Sequence, residues 1–296
     1  MEKDLVIGVF SNYGYDVVKP WIKSIKETGF KGDVVLIGIN ISEITSQEIT
    51  NDGVTCIMSK PSSKNSMIHM ERFFHIYDYL KNKDYRFVVS TDVRDVIFQR
   101  NPSEWLENHL ENSPHSIVSA SEAIQIKNED WNKNNIVKNF GQYFYDDVKD
   151  EEVQNVGILA GLGSVIKDLS FHLYQMSLNR TDWVADQAAY NMMVHFEPYK
   201  SLTLFSKLKD AWAINAHVTN YEPDMIKFEP HLLEKRPIFE NGQVLNSNRE
   251  PFCVIHQYDR VVEWKKFYET KYGVKINSQY TPDDTDDEII TISTGG

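Results

Sequence analysis

Residues Phe87 to Phe98 read Phe-Val-Val-Ser-Thr-Asp-Val-Arg-Asp-Val-Ile-Phe. A run rich in apolar and β-branched residues goes straight into two carboxylates, Asp92 and Asp95, and then into a second apolar triplet. A short run of this kind predicts a strand buried on both faces, the habit of parallel sheets covered by helices. In open α/β sheets the ligand crevice lies beyond the carboxyl ends of the strands, and Asp92 and Asp95 are expected at such an end. Two carboxylates held close repel each other unless a proton or a cation joins them. Hard oxygen ligands favour Mg²⁺ or Mn²⁺, which commonly bridge a phosphate-bearing substrate. The stretch therefore predicts a divalent-metal site for a nucleotide diphosphate. A plainer reading stands beside it, in which Asp92 caps a turn and Asp95 pairs with Arg94 or another cation.

The flanking chain supports a parallel sheet. Leu5 to Phe10 is an apolar run ending in Ser11-Asn12-Tyr13-Gly14-Tyr15. Helical periodicity follows from Val17 to Thr28, with Val18, Trp21, Ile22 and Ile25 on one face. Asp33 to Ile39 is a second strand, so the chain opens β-α-β with a right-handed crossover. Val54 to Met58 predicts a third strand. Ser66 to Leu80 predicts a helix with the stripe Met67, Met70, Phe74, Tyr77 and Leu80, and Arg72 lies off that stripe. Pro102 to Leu110 reads as a short helix and Ile117 to Ala120 as a strand ending at Ser121-Glu122. Ile126 to Tyr145 is rich in Asn, Asp and Lys and reads as an irregular excursion over the active-site face, a lid that tightens on donor binding. Helices are expected over Val165 to Ser177, Trp183 to His195 and Val262 to Tyr272.

The chain of 296 residues fits one large α/β domain. Its 43 acidic and 31 basic residues leave a net charge of −12, which argues against a nucleic-acid-binding surface. An acidic protein that holds a polyanionic nucleotide needs local compensation, which a metal ion supplies. Cys56 and Cys253 form neither a disulfide framework nor a zinc pattern and are expected as buried free thiols. No apolar span is long enough to cross a membrane and the N-terminus carries no signal peptide, so a cytoplasmic location is expected. A single domain over residues 1–277 and a mobile acidic tail over 278–296 complete the expected organisation.

Ser90-Thr91-Asp92-Val93-Arg94-Asp95-Val96-Ile97-Phe98-Gln99 resembles the acidic metal motif of nucleotide-sugar glycosyltransferases of the GT-A type. It is closest to a D-x-x-D-V-x-F-Q variant of the commoner D-x-D. The resemblance extends over roughly residues 5 to 260 as landmarks in the same order. It implies a GT-A-like single domain with a mostly parallel, Rossmann-like central sheet flanked by helices. Ser11, Asn12 and Tyr13 then stand where the base and ribose are held. Arg72 stands on the helix before the metal strand, as a phosphate clamp or, read plainly, on a solvated helix face. Asn155-Val156-Gly157 resembles the N-A-G segment that lines the donor sugar, with Val156 in place of Ala. Asp186-Gln187 matches the D-Q pair beside the reacting carbon, with Asn191 extending its polar face. His256 looks like the histidine that completes the metal site, with His217 as its competitor. Glu122 is a further candidate for acceptor or base chemistry, and Trp131 for stacking on an acceptor sugar.

The implied activity is metal-dependent transfer of a hexosyl or pentosyl group from a nucleotide-sugar, foremost a UDP-sugar, to a hydroxyl of a glycan or glycoconjugate. A nucleotidyltransferase that makes nucleotide-sugars is the rival on the same fold. It usually carries a glycine-rich basic loop after the first strand, and Ser11 to Tyr15 has one Gly and no Lys or Arg. A non-catalytic sugar-binding module would not need the acidic pair and the Asp-Gln pair together.

Overall fold

The computed structural model describes residues 3–62, 67–178 and 184–274. The expected helix starts at Ser66 and Trp183, and the acidic tail, lie outside them. The chain opens with β1 (Leu5–Ser11), α1 (Tyr15–Glu27), β2 (Asp33–Ile39), α2 (Glu43–Asn51) and β3 (Thr55–Ser59). It continues through α3 (Ile68–Leu80), β4 (Phe87–Thr91), β5 (Val96–Phe98), α4 (Pro102–Leu110) and β6 (Ile117–Gln125). Helices α5 (Asp130–Phe140) and α6 (Gln142–Val148) precede β7 (Glu152–Leu162), α7 (Gly163–Leu178) and α8 (Asp186–Val194). The last third holds α9 (Tyr199–Leu202), β8 (Thr203–Ser206), β9 (Ala213–Asn215), α10 (Ala216–Asn220) and α11 (Glu222–Phe228). It ends with β10 (Ile238–Glu240), β11 (Gln243–Leu245), β12 (Val254–His256) and α12 (Val262–Tyr272).

The main sheet runs β3-β2-β1-β4-β7-β6-β8. Every neighbouring pair is parallel except those made by β7, which is antiparallel to both β4 and β6. The sheet is therefore mostly parallel, as expected. Strand β1 lies between β2 and β4, so the strand order turns at the β1/β4 junction, where a ligand crevice is expected.

Helix α1 shows how the layers are held. Val18, Trp21, Ile22 and Ile25 are fully buried on one face. Each such side chain contributes about 1.5–3 kcal/mol on burial, and Pro20 within the helix costs about 3 kcal/mol. Burial wins, and α1 stays helical across the proline. Helix α3 departs from expectation. Phe73, Ile76 and Leu80 enter the core, while Phe74 and Tyr77 are half-buried and pack on Tyr174 and Phe171 of α7. The helix lies between the sheet and α7, so a single stripe does not describe it. Arg72 sits on the buried side and not on a solvated face.

Two further expectations are corrected. The segment from Ile126 to Tyr145 is not irregular: it holds a short 3-10 turn, α5 and the start of α6. Asn132, Asn135 and Asn139 are buried there, and Ile136 joins Tyr145 and Val148 in a core cluster. Tertiary burial overrides the weak helix propensity of Asn. Cys253 is a buried free thiol, but Cys56 is only half-buried. No helix among the described residues is long and apolar enough to cross a membrane.

Candidate active site

Three elements build the centre of the site. Asp92 follows β4, whose last residue Thr91 accepts a hydrogen bond from Trp21 Nε1 at 2.8 Å. The Asp92 amide donates to the Gly157 carbonyl at 2.8 Å, fixing the turn against β7. Asp95 precedes β5. In the small sheet β5-β12-β9, the register sets His256 opposite Val96, next to Asp95. The ring Nε2 of His256 thus lies 3.2 Å from Asp92 Oδ2 and 3.7 Å from Asp95 Oδ2. Potential ligand atoms of Asp92, Asp95 and His256 all fall within 4.8 Å of one another. His217, the competitor, instead pairs with Asp224 at 3.4 Å and stacks on Tyr221.

Two carboxylates and one imidazole are a donor set suited to Mn²⁺ or Mg²⁺, and the local geometry fits such an ion. Burial lowers the His256 pKa, which favours the neutral ring a metal requires. Burial alone would raise the Asp95 pKa, but His256, Arg94 and Arg260 outweigh it and hold the carboxyl below its usual value. A Cβ on Gly157 would stand 2.5 Å from His256 Cε1 and 2.7 Å from Asp92 Oδ2. Only glycine lets β7 approach the cluster this closely.

Arg72 bridges this cluster to the Asp-Gln pair. Its guanidinium contacts Asp92 and donates to Asp186 Oδ2 at 2.7 Å, while its Nε donates to the His69 carbonyl at 3.1 Å. Burial lowers its pKa and the Asp186 carboxylate opposes that shift. A guanidinium keeps its proton in proteins, so this buried cation is permanent.

Bulges place the remaining groups. Between Ser119/Leu159 and Ala120/Asn155 the β6–β7 register slips, so Val156 to Ile158 bow away from β6 while Ile158 stays paired with β4. Asn155, Val156 and Gly157 thereby face the cleft. A second slip, between Ser121 and Gln125, lets Glu122 turn inward. Its Oε1 accepts from Asn155 Nδ2 and from Gln187 Nε2, each at 2.8 Å. Burial raises the Glu122 pKa. Gln187 also accepts from the Val156 amide at 2.9 Å, so its side chain ties α8 to β7. Asn191, expected to extend a functional face, is fully buried and clamps Gln154: its Oδ1 accepts from the Gln154 amide at 2.8 Å and its Nδ2 donates to the carbonyl at 2.8 Å.

Arg72, Asp92, Asp95, Glu122, Asp186 and His256 share one cleft of about 920 Å³, at the upper end of the roughly 300–1,000 Å³ of small-molecule sites. Ser11 and Tyr13 line it. Asn12 is exposed between them, outside the lining, with φ 58° and its amide bonded to the Ile39 carbonyl at 3.1 Å. Sequence reasoning named Arg94 as a partner of Asp95, which the structure shows, but missed Asp259 behind it. Asp259 lies 3.8 Å from Arg94 Nε, and Arg94 lies 3.7 Å from Asp95. Asn215, at the end of β9, lines the cleft with a buried, unpartnered Oδ1.

The mostly parallel sheet, with helices on its faces and an acidic cluster beyond the carboxyl end of β4, has the GT-A-type fold that the resemblance implied. Comparison with solved structures finds this fold in mouse xyloside xylosyltransferase 1, apo form, at TM-score 0.51 and 12% identity, covering 86% of this chain and 97% of that one. Glucosyl-3-phosphoglycerate synthase from Mycobacterium tuberculosis, in complex with Mn²⁺, UDP and glucosyl-3-phosphoglycerate, matches over 55% of this chain and 58% of its own, at 12% identity and TM-score 0.36. Identities this low speak to fold alone. No family model and no curated protein sequence matches the chain.

Proposed function

We propose that the protein is a metal-dependent glycosyltransferase that moves a sugar from a nucleotide-sugar, foremost a UDP-sugar, to a hydroxyl of a glycan or glycoconjugate. One observation carries the reading: Asp92, Asp95 and His256 converge beside Arg72 and Asp186 in a single cleft. A departing diphosphate develops negative charge that concentrated positive charge must meet, and such electrostatic stabilisation is usually the largest catalytic contribution. Asp92, Asp95 and His256 would hold Mn²⁺ or Mg²⁺, which supplies Lewis-acid neutralisation of the departing diphosphate. Arg72 adds a fixed cation at the same place.

The remaining residues bind and orient. Ser11 and Tyr13 hold the nucleoside, Tyr13 by stacking on the base. Asn155 and the Gly157 backbone line the donor sugar, and Glu122 with Gln187 keeps that segment in register. Asp186 acts on the sugar or the acceptor hydroxyl. The same reading treats residues 1–277 as one catalytic domain. The fold shared with a protein named as a xylosyltransferase supports it. The test is isothermal titration with UDP, with and without Mn²⁺, followed by nucleotide release from a panel of UDP- and GDP-sugars. Metal-dependent UDP binding and release from at least one donor are expected. UDP binding indifferent to metal would sink the reading.

A further inference from the structure

Helix α5 forms its own wall of the cleft. Trp131, Asn134, Asn135 and Lys138 line it at the i, i+3, i+4 and i+7 spacing of one helical face. On its other side Ile136 joins a core cluster, with Val137 and Phe140 packed against it. Trp131 is 47% exposed, whereas Trp21, Trp105, Trp212 and Trp264 are each at most 2% exposed. An indole held open beside side-chain amides suits a ligand with one apolar face and many hydroxyls.

The charges on this wall already have partners. Glu129 is buried and accepts from the Trp131 amide at 3.2 Å, and from the amide and Nδ2 of Asn132 at 2.7 Å each. Lys227 pairs with Asp130 at 3.2 Å, and His217 with Asp224 at 3.4 Å. Lys138 and Arg260 are engaged as well. An anionic ligand here would have to break existing pairs, and a neutral one would not.

We propose that this wall is the acceptor subsite and that it takes a neutral saccharide, whose C–H face stacks on Trp131 while its hydroxyls bond the amides of Asn134 and Asn135. The proposal rests on the transferase reading of the cleft. It also sets the substrate class: an uncharged glycan in preference to a phosphorylated or carboxylated acceptor.

The test is binding of lactose, maltose, cellobiose and xylobiose, against glucose 6-phosphate and glycerol 3-phosphate, to the full chain with UDP and Mn²⁺ present. Tryptophan fluorescence and saturation-transfer NMR report binding, and a UDP titration is run on every variant. At least one neutral disaccharide is expected to bind more tightly than either phosphate. Trp131→Ala should weaken it about tenfold or more and Trp131→Phe by much less, with UDP affinity unchanged in both. A protein that binds UDP but prefers a phosphate or binds no disaccharide overturns the subsite. So does a Trp131→Ala variant that keeps wild-type saccharide affinity. Disaccharide binding at Trp131 without UDP binding would keep the subsite and overturn the donor reading instead.

Discussion

The Arg72 guanidinium donates to Asp186 across 2.7 Å, tying α3 to the first turn of α8 although 114 positions separate the two residues. The same side chain touches Asp92. One buried cation therefore balances a carboxylate of the metal motif and a carboxylate of the Asp-Gln pair.

Removing that cation leaves Asp186 buried without a counter-charge. Arg72→Ala should cost about 3–5 kcal/mol of stability, and Mn²⁺ should restore part of it by placing positive charge beside Asp92. Urea denaturation with and without Mn²⁺ measures both effects. Wild-type stability, or a variant blind to Mn²⁺, would contradict the arrangement.

Asp95→Asn preserves shape and removes a ligand charge. Mn²⁺-dependent UDP affinity should fall by about a hundredfold or more, since changes merely outside a metal's ligand sphere already cost about 10–100-fold. Calorimetry in Mn²⁺ decides it, with circular dichroism to confirm the fold. Unchanged affinity would remove Asp95 from the metal site.

Gly157→Ala tests the close approach of β7. The added methyl would meet His256, Asp92 and the Asn155 Oδ1 at 2.5, 2.7 and 2.9 Å. Something must shift, at a cost of about 1–3 kcal/mol, and His256 and Asp92 should be pushed out of position. Mn²⁺ binding followed by electron paramagnetic resonance should weaken even where the protein remains folded. Full metal affinity would show that the cluster tolerates the methyl.

Asp186→Asn keeps a hydrogen-bond acceptor for Arg72 but loses the charge. UDP affinity should stay near wild type while turnover falls by roughly a hundredfold or more, the range for losing a positioned proton acceptor or charge stabiliser. Steady-state kinetics with a UDP titration separates the two. Near-normal turnover would make Asp186 a helix-start residue, favoured there by the macrodipole.

Burial raises the Glu122 pKa. Ionising that carboxyl is therefore harder in the folded protein than in the unfolded chain. Stability declines as pH rises from the unfolded pKa through the folded one, then levels off. Glu122→Gln keeps the oxygen that accepts from Asn155 and Gln187 and has no proton to lose. The variant should be more stable than wild type at neutral pH, with the gap closing in acid. Urea midpoints across pH measure it, and a gap that widens toward acid would refute it.

Local pattern made much of this fold legible. The apolar runs of β1, β2 and β4, the α1 face, α4 and α12 are carried by residues near each other in sequence, and they lie where their periodicity places them. The acidic pair and His256 were also legible as types at strand ends. Long-range pairing was not. Arg72 was legible as a cation for the site, with a solvated face as the alternative, but its pairing was not, because its partners, Asp92 and Asp186, lie on other elements. Glu122 acts through a bulge, which residue order does not reveal. In α5, buried Asn132, Asn135 and Asn139 sit where weak helix formers suggested loop.

Strand β12 delivers His256 by sliding between β5 and β9. On the ribosome, where N-terminal parts fold first, the sheet around β1 and β4 can form while the imidazole is still unmade. A nascent chain thus carries Asp92 and Asp95 before it carries His256. On the metal-site reading proposed above, docking of β12 between β5 and β9 would be the step that switches tight capture of the ion on.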